Sequence, residues 1–480
     1  MIESANLKGT AAKGLAWSAL DRFGGQGIQF LFGIWLTRIL DTSDYGLLGM
    51  ILIFIAVGQT LIDSGFGSAL IWKKNPSQTD YSTVFYFNIS ISFILYAFFY
   101  FTAPLVAGFY DNPQLVSLIR VICLNFIILS FSLIQQTILQ KKVDFKLMAF
   151  VNSGGSVVAG VVALYLAFHG FGVWSIVWQL LIKSLINSLF LWIFSSWRPL
   201  AVFDFNVLKE LFGYGSKLTI AGLIYTVFQN LYFNIIGKLF PIDALGLYTR
   251  ASQLQDFPVK TGTSIFNRVV FPVFSAIKDD KERLLNAIRK SLKSIVFIMY
   301  PVIFGLMAVS DQLIVVLFTE KWISVSLYFR LLLITGVFYV FQVIFGEVLK
   351  TTGKSNLVLR IELLTKSIWI LSIVITYRWG ISAIIIGQIF TSAIGWIVTT
   401  HYVNSLVGYS LLKQLKDIGS YLVISILMYL VVMFIAGLIS QTLISLIISS
   451  TTGAVFYLLA AWILNLEEAQ EFKRVINRNK

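Results

Sequence analysis

The chain has one cysteine and two histidines in 480 residues, 8 prolines, and charged side chains at only 12% of positions. The lone Cys123 excludes an internal disulfide and any multi-thiolate metal centre, which leaves it as a small apolar packing residue. His169 and His401 each fall near an expected helix end, so placement at a membrane interface is a simpler reading than a metal ligand or proton relay. The scarcity of charge has the widest consequence. With 57% hydrophobic residues the chain has too little polar surface to cover a soluble globule of this length, and no stretch remains for a large water-soluble domain.

What is present instead is a series of apolar runs, each about twenty residues or more, the length needed to cross roughly 30 Å of hydrocarbon. About fourteen recur, near 14–39, 45–71, 83–109, 115–139, 147–168 and 172–195; then 212–236, 244–275, 288–309, 326–349, 357–377 and 381–403; then 417–438 and 441–464. The expected fold is an all-α integral membrane protein of about 14 transmembrane helices. Residues 1–200 form one six-helix lobe, 201–405 a second, and 406–480 two additional helices and a tail. Lys8 and Lys13 precede a first span that holds Asp21 and Arg22 and shows no clear cleavage site, so the span is expected to be retained.

An internal repeat supports the two lobes. Thr37 to Leu48 reads TRILDTSDYGLL and Gly237 to Tyr248 reads GKLFPIDALGLY, which sets Arg38 against Lys238, Leu40 against Phe240 and Gly46 against Gly246. Gln29 and Leu31 match Gln229 and Leu231 at the same offset, and SLIRVICL around Arg120 is echoed by LYFRLLLI around Arg330. Six spans per copy is an even number, so both copies enter from the same face and relate by a pseudo-two-fold along the membrane normal, with a cleft between them.

The formal charge of +14 would suggest nucleic acid for a soluble protein. Here it follows the positive-inside rule. With the N-terminus in the cytoplasm, Lys73, Lys74, Lys141, Lys142, Lys146, Arg198, Lys209, the 278–293 cluster, Lys350, Lys354, Lys413, Lys416 and the C-terminal tail all fall on that side. The opposite loops hold only Lys238, Lys321 and Arg378, so both termini are expected in the cytoplasm. Trp72, Trp197, Trp322 and Trp379 sit near span ends, where interfacial anchoring is the simpler reading and sugar stacking the sharper one. The glycines of GGQG (Gly24 to Gly27) and NSGG (Asn152 to Gly155) lie inside spans and read as sites of close helix approach, not as a nucleotide loop.

An ionised group at mid-bilayer costs about 2.5 to 3.5 kcal/mol, so each one needs a partner, a wet cavity or a purpose. The first lobe places Asp21, Arg22, Asp63 and Lys183 there; span eight of the second holds Arg250, Asp256, Lys260 and Arg268, and span eleven Glu362 and Lys366. Arg38, Arg120, Lys217 and Arg330 lie close enough to span ends to snorkel to headgroups. Glu362 and Lys366 have the spacing of a same-face pair. Asp256 and Lys260 share that spacing, but Pro258 between them predicts a broken helix in a segment longer than the membrane is thick. A cavity lined by Arg22, Lys183, Arg250, Lys260 and Arg268 suits an anionic phosphate or diphosphate cargo. Asp21, Asp63 and Asp256 are candidates for ion pairing or for binding a coupling ion.

Taken in order, GLAWSALDRFGGQGIQFLFGIWLTRILDTSDYGLLGM, LIDSGFGSALI, LGLYTRASQLQDFP, NRVVFPVFSAIKDDKERL, LFTEKW and KTTGKSN resemble the Wzx-type polysaccharide flippases and exporters, in the superfamily that includes the multidrug and toxin extrusion (MATE) transporters. The resemblance implies a non-enzymatic carrier in the bacterial inner membrane. Such a carrier moves undecaprenyl-diphosphate-linked oligosaccharide to the periplasmic leaflet by alternating access, for lipopolysaccharide O-antigen, capsule or exopolysaccharide. It also implies a cationic lumen, carried over to Arg22, Arg250, Lys260 and Arg268; Lys183 is added from its depth alone. Implied partners are the lipid-linked oligosaccharide, membrane lipids, a polysaccharide polymerase and a chain-length regulator, with no nucleic acid, no metal and no cofactor. The energy source is left among H+, Na+ and the membrane potential. Small-molecule efflux of the MATE kind is the alternative, disfavoured by the basic intramembrane balance. A membrane polymerase or glycosyltransferase is a weaker one, because the outer loops are short and poor in carboxylates.

Overall fold

The computed structural model describes residues 24–63, 65–142 and 144–470, and every regular element among them is helical. In chain order these are α1 (residues 24–39), α2 (Thr42–Asp63), α3 (Phe66–Trp72), α4 (Gln78–Tyr110), α5 (Gln114–Ile122), α6 (Leu124–Lys141), α7 (Phe145–Phe168), α8 (Val173–Phe194), α9 (Phe205–Leu239), α10 (Ile242–Ile277), α11 (Lys281–Ala308), α12 (Ser310–Phe318), α13 (Val325–Thr351), α14 (Ser355–Thr376), α15 (Ile381–Val407), α16 (Leu411–Leu438) and α17 (Thr442–Ile463). Ten segments among the described residues are long and apolar enough to cross a bilayer. The other four expected spans fall on α1, α9, α10 and α14. Of these, α14 carries Arg360, Glu362 and Lys366 within two turns, and α10 carries five charged residues.

Large apolar side chains cover much of the outside of these helices, among them Phe101 at 76% exposure on α4 and Phe434 at 70% on α16. In water such a surface would aggregate; in lipid it is the solvated face.

The described chain divides into two compact units, residues 1–246 and 247–480. In unit 1, α9 packs along α2, α3 and α4. At the lysine-rich end of the unit Phe66, Leu70, Val84, Phe85, Ile134, Trp197 and Leu211 form one buried cluster. Trp197 therefore departs from the interfacial expectation: it is 8% exposed, and its indole donates to Gln78 Oε1 at 2.9 Å. The Lys141 ammonium donates to the carbonyls of Leu70 (2.9 Å), Ile71 (3.2 Å) and Lys73, capping the end of α3.

Ser77 and Asp80 start α4 with a reciprocal capping box. Asp80 also accepts from Lys73 at 3.1 Å, and the same ammonium reaches Glu210 of α9 at 3.1 Å. Burial pulls the Lys73 pKa down, but the bonds to Glu210 and Asp80 outweigh it and hold the ammonium above its ordinary 10.5. A raised folded-state pKa makes this stabilisation complete below the ordinary value and removes it only as pH climbs through the higher one. The pair is therefore expected to leave stability flat between neutral and mildly alkaline pH. Lys73→Met strands the nearly buried Asp80 carboxylate and is expected to cost about 1–3 kcal/mol in detergent unfolding. An unchanged midpoint would refute this role.

Unit 2 is built on α11, which packs against α13 and α16, with α17 on α16. Ala308, Val309, Ile424, Met428, Val432 and Tyr457 form the buried seam. Arg289 of α11 clasps Asp417 of α16 through two bonds of 2.7 Å, and Tyr409 donates to the same carboxylate at 2.8 Å. Trp322 is fully buried, again unlike an interfacial anchor, whereas Trp379 is 70% exposed, as an anchor would be.

Candidate functional site

The charges expected within the membrane have these positions. Asp21 and Arg22 lie outside the described residues, and so do the side chains of Asp63 on α2 and Arg268 on α10. Lys183 is half-buried on α8 in unit 1. One turn further along α8, the Asn187 amide donates to Asn152 Oδ1 of α7 at 3.1 Å. The two helices meet closely there: a Cβ on Gly155 would run into Asn187 and come within 3.3 Å of the Lys183 carbonyl. This is the close approach expected of the NSGG glycines. Gly25 and Gly27 on α1 differ, since a Cβ on either would meet nothing within 4 Å.

In unit 2, α10 brings Arg250, Asp256 and Lys260 onto one continuous helix. The expectation of a break at Pro258 is overturned, because the helix runs unbroken from Ile242 to Ile277 through both Pro258 and Pro272. A proline removes one donor and crowds the preceding turn, but neighbouring turns and packing can hold a membrane helix together around it. The Lys260 ammonium and the Asp256 carboxylate, 2.7 Å apart, bracket the proline on the same face and add local support. Both are partly exposed, at 52% and 37%.

Arg250 is the most enclosed of the described candidates, at 6% exposure. Its guanidinium carbon stands 4.4 Å from the centroid of the Phe318 ring, and Nη1 donates to Gln253 Oε1 at 3.1 Å. A delocalised, weakly hydrated cation is the type that tolerates such a place, stacked on a ring with its fork held by a neutral amide.

Two arginines expected to snorkel are held by protein groups instead. Arg120 lies over the Tyr100 ring at 4.1 Å and donates to the Tyr100 carbonyl at 3.3 Å; Arg330 bonds Ser310 and pairs with Asp311.

A polar stripe on α9 went unread in the sequence. Thr226, Asn230, Asn234 and Lys238 recur every four residues along the second half of this helix. Thr226 shares a 2.9 Å hydroxyl bond with Thr60 of α2, Asn234 accepts from Tyr110 at 2.7 Å, and Lys238 pairs with Asp111 at 3.0 Å. The i, i+4 spacing of polar groups was the available signal.

A family model described as "Polysaccharide biosynthesis protein" matches residues 35–327. The chain belongs to this family of polysaccharide biosynthesis proteins. The chain is 28% identical over 301 residues to the teichuronic acid biosynthesis protein TuaB of Bacillus subtilis, covering 62% of each chain. It thus spans somewhat less than two thirds of that relative's length. It is 26% identical over 338 residues to the lipopolysaccharide biosynthesis protein WzxC of Escherichia coli, covering 69% of this chain and 68% of that one. Among solved structures, the lipid II flippase MurJ in an inward closed conformation matches with TM-score 0.77 and 14% identity, over 94% of this chain and 98% of that one. At that identity the likeness is one of fold.

Proposed function

We propose that this chain carries an undecaprenyl-diphosphate-linked oligosaccharide across the bacterial inner membrane, from the cytoplasmic to the periplasmic leaflet, for the assembly of a surface polysaccharide. The observation that carries the reading is the family match over residues 35–327 on a membrane fold that parallels a lipid II flippase along nearly its whole length. In this reading α1, α9, α10 and α14 cross the membrane with the ten more apolar segments, making fourteen spans, and both termini face the cytoplasm. The chain is a carrier and not a catalyst, driven by an H+ or Na+ gradient or by the membrane potential. It hands its cargo to a polymerase and a chain-length regulator.

The diphosphate is received by cations in the membrane: Arg22, Lys183, Arg250, Lys260 and Arg268. A buried guanidinium supports that assignment chemically, because it keeps its charge in low dielectric and offers paired donors to phosphate oxygens. Asp256 neutralises Lys260 in the absence of cargo, and Asp21 and Asp63 are the remaining acids for a coupling ion. Carriage requires two access states that exchange, since uniform binding moves nothing.

The test is a leaflet assay. Purified protein in vesicles is given fluorescent polyprenyl-diphosphate-linked oligosaccharide, and the label on the far leaflet is followed by an impermeant quencher. Protein-dependent equilibration is expected. If the lipid stays put while small organic cations are exported from the same vesicles, the flippase reading is wrong and efflux replaces it.

A further inference from the structure

At one end of unit 1 lies an open pocket of roughly 710 Å³, within the usual range of small-molecule sites. It is made where three turns come together: the start of α2, the α4–α5 turn and the α7–α8 turn, with Ile242 at its edge. These turns close the helix ends opposite those that carry Lys73, Lys141 and Arg198. The pocket is therefore at the end away from the lysine-rich loops. Its lining presents Asp44, Asp111, Asn112 and Gln114 with the aromatic rings of Phe171 and Trp174, and none of its described lining residues is cationic.

The walls are set before any ligand arrives. Asp44 ties two turns together, accepting the Asp41 amide at 2.9 Å and the Val173 amide at 2.8 Å. Gly172 has φ +53°, and a Cβ on it would stand 2.8 Å from Asp44 Oδ1, so only glycine lets the two strands of chain lie so close. Asp111 ends α4 in a left-handed conformation and is steered by Lys238 at 3.0 Å; Asn112 accepts the Gln114 amide at 3.1 Å. Preset walls reduce the ordering cost of binding.

The chemistry of the lining selects its ligand. The described lining holds two carboxylates and no cation, and although Lys238 offsets the charge of Asp111, Asp44 still disfavours a phosphate. Carboxylate and amide oxygens accept from hydroxyl groups, amide nitrogens donate to them, and an aromatic face takes up the apolar side of a ring. Gln114 and Phe171 are exposed, with Phe171 at 50%, and stand ready for contact. We infer that this pocket is a subsite for the neutral sugar portion of the cargo, separate from the cations that take the diphosphate, and that it holds the glycan at the exit end of the carrier. The inference rests on the proposed function and adds a second, charge-opposite site to it.

The probe is the oligosaccharide freed by mild acid from the cells' own polyprenyl-linked pool, which removes both lipid and phosphate. Saturation-transfer NMR on the full chain in nanodiscs is expected to show binding. Gln114→Ala combined with Trp174→Phe is expected to weaken it at least tenfold, with Gln114→Ala alone intermediate, at an unchanged unfolding midpoint. Absence of transfer to the wild-type protein at millimolar sugar overturns the subsite, and so does equal binding by folded Gln114→Ala and wild type. Either result leaves the flippase reading standing if the leaflet assay is positive; a negative leaflet assay removes that reading independently.

Discussion

Arg250→Gln is expected to slow translocation of lipid-linked oligosaccharide at least about tenfold, a loss of about 1.4 kcal/mol in transition-state or binding free energy. The guanidinium is 6% exposed on a helix that carries two further cations, and it lies against the Phe318 ring and donates to the Gln253 amide oxygen. A purely structural role would rest on the stacking with Phe318, worth about 2 kcal/mol when desolvated. The two roles separate cleanly. If the stack is what matters, Phe318→Leu and Arg250→Gln lower the unfolding midpoint alike, and transport falls only with the folded fraction. If the charge receives the diphosphate, folded Arg250→Gln fails to transport while Phe318→Leu continues. Wild-type rates in a folded Arg250→Gln protein would remove Arg250 from the cargo site.

Gly46→Leu and Gly246→Leu should be the most damaging glycine replacements, each costing about 3 kcal/mol or more in detergent unfolding, with the alanine variants at about 1–3 kcal/mol. The two glycines are repeat equivalents, and they meet reciprocally. A Cβ on Gly46 would fall on the Ile242 carbonyl, and one on Gly246 would fall on the Thr42 carbonyl and stand 3.0 Å from the Gly46 nitrogen. Residues 42 and 242 are themselves equivalents, so the pattern is that of a local two-fold passing between the first turns of α2 and α10. The obstacles are backbone atoms, which cannot rotate aside as a flexible side chain would. Thr42 also donates its hydroxyl to Asp243 across the same crossing, at 2.5 Å. Gly25→Ala, with open space around its Cβ position, is the control and should be tolerated. A Gly46→Ala protein as stable as the wild type would show that the crossing is loose.

The helical membrane fold was legible because long apolar runs are a one-dimensional signal, and the repeat because Gly46 and Gly246 punctuate two such runs at one offset. The burial of Trp197 and Trp322 was not legible. Both sit near span ends in sequence, and only the tertiary partners, Gln78 among them, decide that a ring faces protein and not headgroups. Arg330 misled for the same reason, since its acceptors Ser310 and Asp311 lie twenty residues away at the start of a short helix. Pro258 was read by its local penalty, which neighbouring turns absorb. The pocket of unit 1 had no linear signature at all: Asp44, Asp111 and Trp174 are separated by two long hairpins and become neighbours only when three turns meet. On the cationic side, charge inside an apolar run marked Arg250 together with Lys260 and Arg268, while nothing in the spacing announced that Phe318 would cover Arg250.

The doubly bonded clasp between Arg289 and Asp417 ties the last two helices to the body of unit 2, reinforced by Lys293 reaching Glu467 at 3.3 Å beyond α17. When α11 shifts, α16 has to ride along or tear a charged fork from its carboxylate. The C-terminal pair is thus an outrigger, lashed to the hull of unit 2 by charge as well as by packing.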